Sequence, residues 1–76
     1  MRIVDRVYLD GVKLKRLRVI NGYSQRSLAA AAGVAGSTIN LLELRKVNEG
    51  FHPQTLVKLA EALGVEPGEL LGEEED

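Results

Sequence analysis

The stretch Ser24–Glu43, SQRSLAAAAGVAGSTINLLE, sets four consecutive alanines before a glycine and starts a second apolar rhythm two residues later. Alanine has high helix propensity and little bulk. The segment after Ser24 therefore reads as a short helix with Leu28 as its main apolar anchor. Ser24 is a residue type that caps a helix start. The reciprocal acid of a capping box is missing, because Ser27 stands three residues on. Gly33 ends the helix, since glycine takes a positive φ at little cost, and Val34 plugs the elbow. A further helix runs from about Ala35 to Leu44, with Ile39 and Leu42 inward. Its cap position, Ala35, offers no side-chain acceptor. Small side chains let the two helices approach closely. Two short helices joined this way form a helix-turn-helix, whose second member projects far enough to enter a DNA major groove. Residues 36, 37, 40 and 41 then face outward.

Toward the N-terminus, DGVKLKRLRVING reads as a first helix capped by Asp10 and stopped at Asn21-Gly22. Leu14 and Leu17 share its inner face, with Val12 or Val19–Ile20 completing the stripe. Before it, RIVDRVYL over residues 2–9 is rich in branched and aromatic residues, as strands are. Ile3, Val7 and Leu9 fall on one face, Val4 and Tyr8 on the other. A lone strand in a helical chain needs a partner. An antiparallel ribbon with a second copy is favoured here over pairing with residues 45–51 of the same chain. Toward the C-terminus, residues 45–52 read as a loop. Pro53 opens a fourth helix with Leu56, Leu59, Ala60 and Leu63 as its inner stripe and Gly64 as its stop. EPGELL reads as a short fifth helix, with Leu70 closing the core. The final GEEED reads as an unstructured acidic tail. The chain thus divides into an arm at 1–10 that is a candidate dimer contact, a domain at 11–71 and a tail at 72–76.

A chain of 76 residues has room for one core. Without cysteine there is neither a disulfide framework nor a thiolate metal site. His52 is the only histidine. It fits the start of the fourth helix better than a metal site. No paired carboxylates, nucleophile with a base, phosphate-binding glycine motif or metal cluster is legible, so an enzyme is not expected and no cofactor is implied. No apolar run approaches the roughly 20 residues of a membrane span, and the charged N-terminus lacks a signal-peptide core. The expected location is the cytoplasm, at the nucleoid. The net charge of −1 conceals an asymmetry: residues 1–46 carry nine bases against three acids, and residues 47–76 one base against eight acids. A local basic field attracts an anionic partner whatever the bulk charge.

The stretch GYSQRSLAAAAGVAGSTINLLE resembles the helix-turn-helix of lambda-repressor and Cro-like regulators, the XRE family. Ser24-Gln25, Leu28-Ala29, Gly33-Val34, Ile39, Leu42 and Glu43 carry the likeness, and TLVKLAEALGVEPGELL resembles that family's last two helices. The resemblance covers about residues 12–71. It implies an all-α, compact five-helix domain, here with a short N-terminal β-strand added. It also implies that Gln25 bonds backbone phosphate and braces the recognition helix. Arg18 and Glu43 match a family ion pair tying the first helix to the third. Base contacts are implied near Gly36, Ser37 and Leu41, where long polar side chains are commoner in the family. Gly36 has no side chain to read with, and Leu41 offers only apolar contact, for example to a thymine methyl. Ser37 and Thr38 can reach phosphate or a base edge. Asn40 is the best single reader, because its amide can pair bidentately with adenine. Lys46, with Arg45, Asn48 and Arg26 nearby, is a phosphate candidate.

The expected function is a sequence-specific, DNA-binding transcriptional regulator acting as a repressor. One such helix spans too few base pairs, so a homodimer on two half-sites is expected. The alternative is a protein-interaction module, such as an antitoxin or anti-regulator, with weak DNA binding and a protein partner. The exposed Gly36 and Leu41 suit that alternative.

Overall fold

The computed structural model describes residues 6–74. In chain order these form β1 (Arg6–Asp10), α1 (Gly11–Ile20), α2 (Gln25–Ala32), α3 (Gly36–Glu43), β2 (Val47–Asn48), α4 (Pro53–Leu63), a single 3-10 turn (Pro67–Leu70) and β3 (Leu71–Glu74). Among the described residues there are thus four α-helices and a small sheet, not five helices. The expected fifth helix is that 3-10 turn. Four residues suffice to carry Leu70 into the core, where it is fully buried.

The helix boundaries follow from local chemistry. Asp10 caps α1, its carboxylate accepting from the Val12 and Lys13 amides at 2.9 and 3.1 Å. At α2 the capping box exists without an acid. The Ser27 amide donates to Ser24 Oγ at 2.9 Å, and the Ser24 amide donates to Ser27 Oγ at 2.9 Å. A hydroxyl accepts as a carboxylate does, so the absent glutamate costs the motif nothing in geometry. Helix α2 stops at Gly33, at φ +73°. There the Val34 amide bonds back to the Ala29 carbonyl at 3.0 Å, which satisfies an orphan acceptor of the last turn. The same bond recurs from Tyr23 to Arg18 and from Val65 to Ala60. Tyr23, Val34 and Val65 each pack on the core from just beyond a helix end.

Leu9, Leu14, Leu28, Ile39, Leu59 and Leu70 are fully buried, one or more from almost every element. The inner stripe of α4 is Leu56, Leu59, Ala60 and Leu63 as its spacing predicts. Leu42 packs half-buried against this core. In α2 only Ala29 and Ala32 of the alanine run are buried; α2 packs on both α3 and α4. Helix α1 departs from expectation. Val12, Val19 and Ile20 are 50, 57 and 71% exposed, and Arg18 takes the buried place beside Leu14. A charged residue completes the stripe because it has a buried partner, described below.

The sheet has the order β2-β1-β3, with β1 antiparallel to both neighbours. The expected ribbon with a second copy is therefore replaced, over the described residues, by pairing within the chain. Leu9 and Asp10 pair with Asn48 and Val47, and Arg6–Leu9 pair with Glu74–Leu71. The first of these partners lies in the 45–51 segment named as the intramolecular option. The second lies in the stretch read as an unstructured tail. Residues 72–74 are ordered because the backbone finds β1, Lys13 Nζ donates to the Leu71 carbonyl at 2.7 Å, and the Tyr8 ring covers Gly72 opposite it. A Cβ on Gly72 would lie 2.5 Å from that ring. This is why the expected face pattern fails as well: Val7 is 42% exposed, whereas Tyr8 and Leu9 are both buried, on opposite faces. The expected strand residues Ile3 and Val4, and Glu75 and Asp76 of the expected tail, lie outside the described residues.

Candidate nucleic-acid interface

Helix α3 is held from below and from its end. Ile39 is fully buried and Leu42 half-buried, which fixes the helix's rotation about its axis. Glu43, in its last turn, fixes the far end. Arg18 Nε and Nη2 donate to the two Glu43 oxygens at 2.7 and 2.9 Å, a bidentate fork. Arg18 Nη1 donates to the Tyr23 carbonyl at 2.9 Å, and Gln25 Nε2 donates to Glu43 Oε1 at 3.0 Å. The Arg18 and Glu43 side chains are 11 and 4% exposed. The Arg18–Glu43 pair therefore joins α1, the turn after it, the start of α2 and the end of α3. Burial alone would push the Glu43 carboxyl up. The hydrogen bonds from Arg18 and Gln25, with the charges of Arg18 and Lys15, bring it below the ordinary carboxylate value. The bond to Glu43 raises Arg18 further, against the opposing effect of burial.

The approach of α1 to α3 depends on Gly11. A Cβ there would sit 2.2 Å from the carbonyl oxygens of both Leu42 and Arg45. The Gly11 amide donates to the Lys46 carbonyl at 2.9 Å. Asn48 stands alongside, its Nδ2 within 2.9–3.1 Å of the Leu9, Leu42 and Arg45 carbonyls. Its amide is committed to the fold, so the reading of Asn48 as a phosphate candidate gives way to one as a backbone clamp.

With its inner side fixed, α3 turns Ser37, Asn40, Leu41 and Leu44 outward, all exposed. Their spacing, i, i+3, i+4 and i+7, makes one stripe of a helix. Gly36 is also exposed, with open space where a Cβ would be. Thr38 is half-buried and lies off the stripe, toward the flank. The Thr38 amide donates to the Ala35 carbonyl at 3.0 Å, and no side chain caps this helix. Leu44 was not among the sequence candidates. Its 69% exposure adds to the 59% of Leu41. The signal was present in the sequence, since residue 44 continues the 37–40–41 spacing by one more step.

Gln25 is half-buried against Glu43, so its bracing role has a geometry. Its amide nitrogen still carries a second hydrogen. That contact brings the start of α2 to the end of α3. Exposed Arg26, next to Gln25, and exposed Arg45 and Lys46, just after α3, therefore belong to one neighbourhood. His52 takes the cap position of α4, without a side-chain hydrogen bond to the helix. Among the described residues no group of three or more histidines, cysteines or carboxylates could hold a metal, and no helix is long and apolar enough to cross a membrane.

No curated protein matches the sequence. Among solved structures, the chain is similar to the restriction-modification controller protein C.AhdI from Aeromonas hydrophila, at 35% identity and TM-score 0.69. The match covers 79% of this chain and 88% of that one. It is also similar to a hypothetical transcription factor, NHTF, from Neisseria, at 27% identity and TM-score 0.73, over 83% of this chain and 70% of that one. The profile of the helix-turn-helix family matches residues 14–70, from the first buried leucine of α1 to the last of the core. The chain belongs to the helix-turn-helix family of the lambda-repressor and Cro (XRE) type, a family of DNA-binding transcription regulators and not of enzymes.

Proposed function

We propose that the protein is a sequence-specific repressor that reads the DNA major groove with α3 and acts as a homodimer. The observation that carries this reading is the outward stripe of α3, held on a helix whose buried side is locked and flanked by Arg26, Arg45 and Lys46. Asn40 pairs with an adenine edge, and Ser37 meets a base edge or phosphate beside it. Gly36 lets the helix start come close to the duplex. Thr38, on the flank, reaches phosphate. Gln25, Arg26, Arg45 and Lys46 bind the sugar-phosphate backbone, which sets affinity and register without reading sequence. The similar controller protein and transcription factor support a regulatory role. Repression follows if occupied sites overlap a promoter. Pairing two protomers places two copies of α3 about one helical turn apart on a two-fold symmetric site.

Selection of bound sequences from a randomised duplex pool at two salt concentrations tests this. Enrichment of a two-fold symmetric motif is expected, with log K falling by about 0.9 per phosphate contact against log salt. Asn40→Ala should flatten preference at one position per half-site and leave the salt slope. A reporter whose promoter overlaps the enriched site should fall in expression. Absence of any enriched sequence and of a salt slope overturns the DNA reading. That outcome would favour the protein-interaction module, for which exposed Leu41 and Leu44 are the supporting observation.

A further inference from the structure

Leu41 and Leu44 are an apolar pair on the exposed side of a helix whose inner side is already filled. They are 59 and 69% exposed, one step of i+3 apart, and continue the line of Ser37 and Asn40. The fold gains nothing from leucine at either position, since neither belongs to the core or packs against it. Arg45 and Lys46 follow Leu44 directly in the chain, and Arg26 lies across the Gln25–Glu43 contact. An apolar ridge with exposed cations close by in the chain fits a partner that is anionic at its margins and apolar in a narrow strip between them. A duplex major groove offers this: phosphates on both rims, and between them the 5-methyl groups of pyrimidines as its apolar features.

We propose that Leu41 and Leu44 form a reader for 5-methylpyrimidines, discriminating thymine from cytosine by the C5 methyl group rather than by hydrogen bonding. This rests on the DNA-binding reading and assigns it a second recognition element. Along the stripe, the half carrying Ser37 and Asn40 reads donors and acceptors, and the half carrying Leu41 and Leu44 reads methyls. Because the recognised feature is the methyl itself, 5-methylcytosine serves as thymine does at the same position, and unmethylated cytosine and uracil do not. The element makes binding responsive to cytosine C5 methylation wherever a site places that base under the ridge.

The test uses the full chain and the duplex enriched from the randomised pool. Each thymine is replaced in turn by deoxyuridine, which removes only the methyl. At the thymine so identified, the T·A pair is then exchanged for C·G and for 5-methylcytosine·G. Loss of one buried methyl is expected to weaken binding about four-fold at one or two positions per half-site. The 5-methylcytosine duplex should bind about four-fold more tightly than its cytosine counterpart. Leu41→Ala and Leu44→Ala, at exposed positions, keep the wild-type melting temperature, and at least one of them abolishes both methyl effects while the salt slope is unchanged. Uracil substitution without effect anywhere in the site, or methyl effects that persist in both alanine variants, overturns the inference and leaves DNA binding standing. Failure of any duplex to be enriched removes the DNA reading itself and this element with it.

Discussion

Removing the Arg18 guanidinium should test the construction of the site more sharply than any change on its surface. Arg18→Met keeps the aliphatic stem beside Leu14 and deletes three hydrogen bonds at once, two to Glu43 and one to the Tyr23 carbonyl. Glu43, whose side chain is 4% exposed, then keeps only Gln25 as a partner. Leaving a buried charge uncompensated costs about 3–5 kcal/mol. A domain of this size holds roughly 5–15 kcal/mol in total, so the loss is a large part of the whole. Each kcal/mol moves the melting point of such a domain by about 4–8 °C, which predicts a fall of tens of degrees. Urea titration followed by circular dichroism reads it directly. The partner change, Arg18→Met with Glu43→Leu, removes both charges and should return most of the stability, because the cost lies in the orphaned carboxylate. The pH dependence supplies an independent sign. In the wild type Glu43 sits below its ordinary value of 4.5. Its contribution is therefore complete above that value and is lost as pH falls through the folded one. In Arg18→Met burial prevails, the carboxyl is pushed up, and acidification from neutrality toward that ordinary value should stabilise the variant. A single variant that loses less than about 1 kcal/mol, the range of exposed pairs, or a double variant no more stable than the single, refutes this account.

Gly11→Ala drives a methyl into the Leu42 and Arg45 carbonyls and should cost about 1–3 kcal/mol or more by thermal melt. Gly36→Ala, with open space around its Cβ, should instead stabilise by about 0.4–1 kcal/mol. Either Ser24→Ala or Ser27→Ala breaks the reciprocal hydroxyl box and should cost roughly 1 kcal/mol, seen in the same melt. Asn48→Ala strips a donor from carbonyls of β1, α3 and the loop after it. It should destabilise by about 1–3 kcal/mol, with amide exchange quickened at Leu9 and Asp10 before the core of α4.

The parts of the fold that the sequence makes legible are those set by neighbours in the chain. Each of α1, α2 and α4 ends at a glycine followed by an apolar residue, and the backbone bond made there needs only local geometry. The core leucines repeat at helical spacing and are found inside. The sheet is a different matter. Its register joins Tyr8 to Gly72 and Leu9 to Asn48, and no period in the sequence signals partners so far apart. Charge is a poor guide at the C-terminal end of the described residues. GEEED has the composition of a solvated tail, yet residues 72–74 gain a strand partner, a Lys13 contact at their base and a covering ring. Arg18 looks like one more cation in a basic helix, and only the family resemblance pointed to its carboxylate. Within the candidate site, the outward set was legible from Ile39 and Leu42 facing in. Leu44 stands at the helix end, one step beyond the outward set of 36, 37, 40 and 41, and is exposed.

The way α3 is fixed separates folding from reading. Its rotation is set by Ile39 and Leu42 and its end by Glu43, all on or near the buried side. The side chains of Ser37, Asn40, Leu41 and Leu44 make no hydrogen bond within the fold and no core contact, and Gly36 has no side chain to make one. Substitutions on the stripe therefore change what the helix meets without changing where it stands, and a binding defect there needs no correction for unfolding. At Arg18, Gln25 and Glu43 the reverse holds. A change moves the helix, so affinity for every sequence should fall together while the order of preference among sequences is kept. Uniform loss against altered preference is thus the criterion that assigns a residue to the scaffold or to the reader. Gln25, which braces Glu43 and retains a second amide hydrogen, is the one residue expected to show both uniform loss of affinity and a reduced salt slope.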